Sequence, residues 1–187
     1  RITLCEGIEV EFHDIGHLLG SACIEVWVTE GDVTKKIVFS GDVGNTNQPI
    51  IRDPGKVSEA DYVVIESTYG DRTHGDERPD YVGEFTRILR ETFSRGGNVV
   101  IPSFAVGRTQ ELLYFIREIK ERDLLPEFRG FEVYVGSPLA IEATNVFNKN
   151  VKSCFDEEAM ALVEQGINPL IFPGLKTTIT SAVSYTH

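Results

Sequence analysis

The sequence predicts an α/β fold in two parts, an antiparallel β meander followed by a parallel α/β layer. Up to Ser40, apolar and polar residues alternate and turn signals separate the runs. After Gly75, apolar residues recur at helical spacing. Strand-like runs, small-residue loops and helical stretches then repeat in that order, the pattern of a parallel layer. The junction falls near Asp71, giving segments 1–70 and 71–187.

The first strand is expected over Ile8–Phe12, with Ile8, Val10 and Phe12 on one side and Glu9 and Glu11 on the other. A glycine-flanked loop carrying His17 follows. Ala22–Thr29, rich in β-branched residues and holding Trp27, forms a second strand, and Glu30-Gly31-Asp32 turns the chain into a third at Lys36–Ser40. Asn45–Pro54 is irregular. Ala60–Ile65 reads as a buried strand ending in Glu66. Asp80–Ser94 is a helix whose stripe is Val82, Phe85, Ile88, Leu89 and Phe93, stopped by Gly96-Gly97. Asn98–Ile101 reads as a short buried strand. Thr109–Arg122 is a second helix, with Thr109 as N-cap and Leu112, Leu113, Phe115, Ile116 and Ile119 on its core face. A strand at Phe131–Val135 and helices at Leu139–Phe147 and Asp156–Gln165 complete the order.

Composition narrows the classes. The 187 residues are 41% hydrophobic and 25% charged, a globular balance. No apolar run approaches the roughly 20 residues that span a bilayer, and no secretory leader opens the sequence. Cys5, Cys23 and Cys154 are widely spaced, contain no Cys-x-x-Cys pair and read as small buried hydrophobes in a reducing compartment. The net charge of −11 argues against a basic nucleic-acid face, although a metal centre would add positive charge that this tally omits.

Two stretches place metal-binding residue types at strand ends. His17 lies in Gly16-His17-Leu18-Leu19-Gly20-Ser21, and Asp42 follows a strand and a glycine in Phe39-Ser40-Gly41-Asp42-Val43-Gly44. Imidazole nitrogen and carboxylate oxygen both bind zinc, and a strand leading into a tight glycine loop can hold them in place. Separately, each piece is equally compatible with an ordinary turn or polar surface. Glu66 adds a third carboxylate beyond an apolar strand, where α/β folds collect active-site groups.

Four stretches in this order carry a specific resemblance: Gly16–Ala22, Phe39–Asp42, Ile65-Glu66-Ser67-Thr68-Tyr69-Gly70-Asp71-Arg72, and Ile101-Pro102-Ser103-Phe104-Ala105-Val106-Gly107-Arg108-Thr109-Gln110-Glu111-Leu112-Leu113. Together they resemble the metallo-β-lactamase-fold nucleases with an inserted β-CASP domain. The likeness is to the RNA-processing members, which include bacterial and archaeal ribonucleases and the eukaryotic pre-mRNA 3′-end cleavage subunit. It extends to about Thr180. It implies part of a metallo-β-lactamase αββα sandwich over 1–70 and part of a β-CASP domain over 71–187. By the same resemblance, His17 is a ligand to one zinc and Asp42 bridges two. Glu66 heads the β-CASP insert, where the family pairs it with a histidine that helps protonate the leaving group. The catalytic residues implied are Asp42 and Glu66, and the reaction is zinc-dependent hydrolysis of RNA phosphodiesters in the cytoplasm. RNA ranks ahead of DNA, no membrane is involved, and a homodimer is an open assembly.

Arg108 and Ser137, each beside a predicted helix start, are candidate contacts for an RNA phosphate, against plain capping and ion pairing. His74 is a candidate substrate contact against a surface-loop reading, and His13 is read as structural or incidental. The family's first motif, His-x-His-x-Asp-His, a second-motif histidine and two later histidines are not in this sequence. The chain is therefore expected to be the middle of a larger enzyme, binding zinc weakly and inactive alone, with residues 182–187 a truncation or cloning scar. Three rival readings stand beside it: a small-molecule ester or thioester hydrolase of the same fold, a non-catalytic scaffold subunit, and a DNA-directed relative.

Overall fold

The structure, a computed structural model, describes residues 1–72 and 79–178. The chain divides into two compact units, residues 1–74 and 75–187.

The first unit is a five-stranded sheet in sequence order: β1 (Ile2–Cys5), β2 (Ile8–Asp14), β3 (Ala22–Glu30), β4 (Val33–Phe39) and β5 (Tyr62–Val64). β1 to β4 form the expected antiparallel meander, and β1 itself is an addition. β3 and β4 meet at Gly31, whose φ of 58° suits a residue without a Cβ. β5 returns parallel to β4, pairing Val38 with Val63.

The expected alternation in β2 is present, but burial does not follow it. Val10 is buried, whereas Phe12, on the same side, is 54% exposed. On the opposite side Cys23, Glu25, Trp27 and Val38 are all buried, and Ile15, Cys23, Val38 and Val57 form a small core. A carboxylate is tolerated there because Lys36 Nζ lies 2.6 Å from Glu25 Oε2, while Arg1 sits 3.6 Å above the Trp27 ring. Of the cysteines only Cys23 is buried; Cys5 is exposed and Cys154 partly so.

β5 was expected to be buried and is exposed along its length. It is a short edge strand that, among the described residues, pairs with β4 alone. Asp61 fixes its start. Lys35 Nζ donates to Oδ1 at 2.6 Å, the Lys36 N–H donates to Oδ2 at 2.8 Å, and the Asp61 N–H donates to the Lys36 carbonyl at 2.9 Å.

The second unit contains α1 (Tyr81–Phe93), α2 (Arg108–Glu121), α3 (Pro138–Lys149), α4 (Val151–Cys154) and α5 (Glu157–Glu164). Its strands, β6 (Val133–Val135) and β7 (Leu175–Thr177), pair in parallel. Helix starts follow local chemistry: Asp80, Ser137 and Asp156 accept the Gly83, Ala140 and Ala159 N–H groups. Gly96, at φ 72°, closes α1. Leu89, Ile119 and Leu125 form the core, with Val82, Phe85, Phe93 and Val99 packed around them. Ile88, expected in the stripe, is exposed.

Two further expectations are corrected. Asn98–Ile101 is not a strand and, Val99 apart, is exposed. Among the described residues no strand lies beside it to take its backbone groups, since β6 and β7 pair with each other. Thr109 is not the N-cap of α2; Gly107 is, at φ 82°. The Thr109 hydroxyl instead donates to the Phe104 carbonyl at 2.7 Å.

The Lys35 hydrogen bond, then the Lys36 N–H, hold the Asp61 carboxyl below the ordinary carboxylate range. A group shifted this way stabilises the fold at neutral pH, and that stabilisation is lost as the pH falls through the folded-state value. Asp61→Ala is therefore expected to lower the urea midpoint at about pH 7, with the gap to wild type closing towards about pH 2. A gap of equal size at both pH values would refute this role for the carboxylate.

Candidate active site

β2, β4 and β5 all run in one direction, because β3 is antiparallel to its two neighbours and β5 is parallel to β4. The loops that follow these three strands therefore leave the same edge of the sheet. They carry His17, Asp42 and Glu66.

The His17 loop is closed on itself. Ser21 N–H donates to the Leu18 carbonyl at 3.0 Å, Leu18 N–H to Ser21 Oγ at 3.2 Å, and Ile15 N–H to the Ser21 carbonyl at 3.3 Å. Buried Ile15 roots the loop in the small core. Pro54 backs it: a Cβ on Gly16 would lie 2.7 Å from Pro54 Cδ. The Gly55 N–H donates to the Asp14 carbonyl at 2.7 Å.

The Asp42 loop is pressed against this one. Gly44 N–H donates to the Ile15 carbonyl at 2.9 Å. A Cβ on Gly44 would stand 1.8 Å from the Gly16 carbonyl oxygen and 2.4 Å from the His17 nitrogen, so only glycine fits. The result is a His17 Nε2 to Asp42 Oδ2 distance of 3.9 Å, with the side chains 43% and 74% exposed.

Glu66 stands beside the pair. Thr68 N–H donates to its Oε2 at 2.8 Å and Val43 N–H to its Oε1 at 3.4 Å. Thr68, then Val43 and the nearby His17, hold its carboxyl below the usual carboxylate range. It is thus an anion at neutral pH, suited to accepting and orienting a proton donor rather than donating a proton itself. Behind it, Ser40 Oγ accepts the Glu66 N–H at 3.1 Å.

Two ligands of one zinc, each roughly 2.1 Å from the ion, stand about 3–4 Å apart. The His17–Asp42 separation fits a shared ion. Among the described residues the one trio of metal-ligating side chains with all ligand atoms within 4.8 Å is a different group, Glu11, His13 and Glu25. Its charges are already matched. Lys36 pairs with Glu25, Arg1 Nε is 3.8 Å from Glu11, and His13 Nε2 is 3.3 Å from Glu25 Oε1. It is an ion network on the sheet, as expected for a structural His13.

In the second unit, Arg108 opens α2, and its guanidinium lies 2.5 Å from the Glu111 carboxylate. Burial pushes the Glu111 carboxyl up and Arg108 pulls it down. The Ser137 hydroxyl accepts the Ala140 N–H at 3.3 Å as the cap of α3. His74 lies outside the described residues. Sequence reasoning missed Gln110, which is fully buried. It accepts the Gly107 N–H at 2.7 Å and donates to Thr144 Oγ1 at 2.9 Å and the Ala105 carbonyl at 3.1 Å, locking the loop before α2 to α3. It also missed Ser40 and Gly44, although the run Ser40-Gly41-Asp42-Val43-Gly44 carries the signal, a second glycine two residues after the acid.

Residues 109–185 match the model of the Beta-Casp domain. The chain is 39% identical over 169 residues to Ribonuclease TTHA0252 of Thermus thermophilus, covering 90% of this chain and 37% of that protein. It is 31% identical to an RNase J-like protein of Methanocaldococcus jannaschii (89% of this chain, 38% of that protein). Against the Endoribonuclease YSH1 of Yarrowia lipolytica it is 29% identical (91% and 20%). The domain match and these relatives support a β-CASP, metallo-β-lactamase-fold protein. It spans well under half the length of each of these relatives.

Gly44→Ala is expected to force the two loops apart. We expect it to cost roughly 1–3 kcal/mol or more in urea unfolding. Amide resonances of residues 15–17 and 42–44 should shift together. Gly130→Ala is the control: like Gly44 it has no positive φ, but a Cβ there meets nothing within 4 Å. Equal effects of the two substitutions would refute the close-approach argument.

Proposed function

We propose that this chain forms part of the catalytic centre of a metal-dependent ribonuclease that hydrolyses RNA phosphodiester bonds in RNA processing or decay. The observation that carries the reading is the 3.9 Å approach of His17 Nε2 to Asp42 Oδ2 beside an anionic Glu66. The relatives' names support it, since they are a ribonuclease, an RNase J-like protein and an endoribonuclease.

In this reading the metal is zinc, two ions in all. His17 and Asp42 would hold the metal from this chain. Such a centre would supply an activated water and positive charge against the phosphate oxygens. Zinc sites take about four ligands each, so the remaining ligands come from beyond the described residues. Glu66, kept ionised by the Thr68 and Val43 N–H groups, orients the group that protonates the leaving oxygen. Arg108 and Ser137, at the starts of α2 and α3, contact the RNA backbone, where helix N-termini favour phosphate.

The test has two arms. Zinc titration of this chain followed by calorimetry should show binding that His17→Ala or Asp42→Ala weakens by more than about 100-fold, beyond the usual cost of losing a supporting partner. The protein containing this chain should cleave a labelled RNA oligonucleotide, stop on chelation and recover with zinc. Asp42→Ala should abolish cleavage. Cleavage that survives both chelation and Asp42→Ala would overturn the proposal.

A further inference from the structure

Resting on that reading, we infer that Ser40 is a positioning residue that joins the Asp42 loop to the Glu66 loop, so that metal ligand and anion keep their places as one unit. Ser40 is the first residue past β4 and is 8% exposed. Three hydrogen bonds converge on it. Its backbone N–H donates to the Val64 carbonyl at 2.9 Å, continuing the β4–β5 pairing one step beyond the strand. Its Oγ accepts the Glu66 N–H at 3.1 Å and donates to the Gly41 carbonyl at 2.6 Å.

The hydroxyl is the only part of this set that reaches both loops. On one side it holds the Gly41 carbonyl, and so the peptide that enters Asp42. On the other it holds the amide that begins Glu66. Gly41 has a φ of 61°, and a Cβ there would lie 3.0 Å from the Ala22 carbonyl, so the turn has little room to rearrange once set. The link is closed on the far side by the Val43 N–H, which reaches Glu66 Oε1. Ser40 to Glu66 to Val43 and back along the chain is a ring that encloses Asp42. Alanine at 40 would remove the acceptor for a shielded N–H and the donor to a carbonyl, and it leaves the strand pairing intact. Threonine would keep both functions.

The test compares wild type, Ser40→Ala and Ser40→Thr in this chain, with His17→Ala alongside. Metal-free hydrogen exchange reads the link without any metal. Ser40→Ala should speed exchange of the Glu66 and Val43 amides at least tenfold while the β2–β3 amides keep their protection. Co²⁺ titration, read by visible absorption, tests the site. Ser40→Ala should weaken Co²⁺ binding by about tenfold or more, the scale for losing a group that supports a ligand, and change the spectrum. Ser40→Thr should restore both readouts. If Ser40→Ala only lowers global stability, so that exchange rises evenly through the sheet, Ser40 is merely structural and the inference fails. Unchanged exchange at Glu66 overturns it as well. If His17→Ala leaves Co²⁺ binding untouched, the metal reading is what fails, and the exchange data alone then decide whether the link exists.

Discussion

The close approach of Gly44 to the Gly16–His17 peptide is the constraint on which the rest of the candidate site depends. Two backbone segments touch there with no room for a single extra carbon. Every other positioning feature works around this contact. Ile15 anchors one loop in the small core, Pro54 and Gly55 back it, and the Gly44 N–H to Ile15 carbonyl bond ties the two loops together. A side-chain contact could slip by a rotamer, whereas backbone against backbone leaves few alternatives. That stiffness suits ligands that must hold their distances to within a few tenths of an ångström.

The same economy appears one level up, in strand direction. A pure antiparallel meander would send the loop after β5 to the opposite edge from that after β4. The long segment between β4 and β5 lets β5 return parallel instead, and so the Glu66 loop joins the His17 and Asp42 loops. Asp61 secures the start of that short strand against Lys35 and Lys36, and Ser40 secures its end. An exposed three-residue edge strand is a weak element by itself. Clamped at both ends, it can carry a functional residue without being buried.

What the sequence made legible was local. The α1 boundaries follow from Asp80, which caps its own helix, and from Gly96, which ends it. His17, Asp42 and Glu66 stood out because each follows a strand into a glycine-containing loop. What stayed hidden depends on pairing partners. Apolar runs such as Tyr62–Val64 and Asn98–Ile101 do not state what covers them, and both, Val99 apart, prove exposed. Glu25 sits at a position that alternation marks as polar surface, yet it is buried because Lys36, distant in sequence, neutralises it. Gln110 looks like one more polar helix residue until Gly107, Ala105 and Thr144 are brought to it. Convergence of the three loops was legible only as far as the parallel return of β5 could be foreseen, and nothing in the local sequence announces it.

The acidity of the chain also finds a physical place in the proposed function. Many of its cations are already committed. Arg87 bonds Glu84 and Glu91, Arg90 bonds Glu127, Arg108 bonds Glu111, Arg117 bonds Glu121, Arg122 bonds Glu118, and Arg129 bonds Asp123. With a net charge of −11, the chain has no surplus of Lys and Arg for neutralising phosphate in the usual manner. A centre built on His17 and Asp42 would bring that charge in as divalent metal, placed at the scissile phosphate rather than spread along the strand. Attraction for RNA would then be concentrated at that centre, and Arg108 would add to it by exchanging Glu111 for a phosphate.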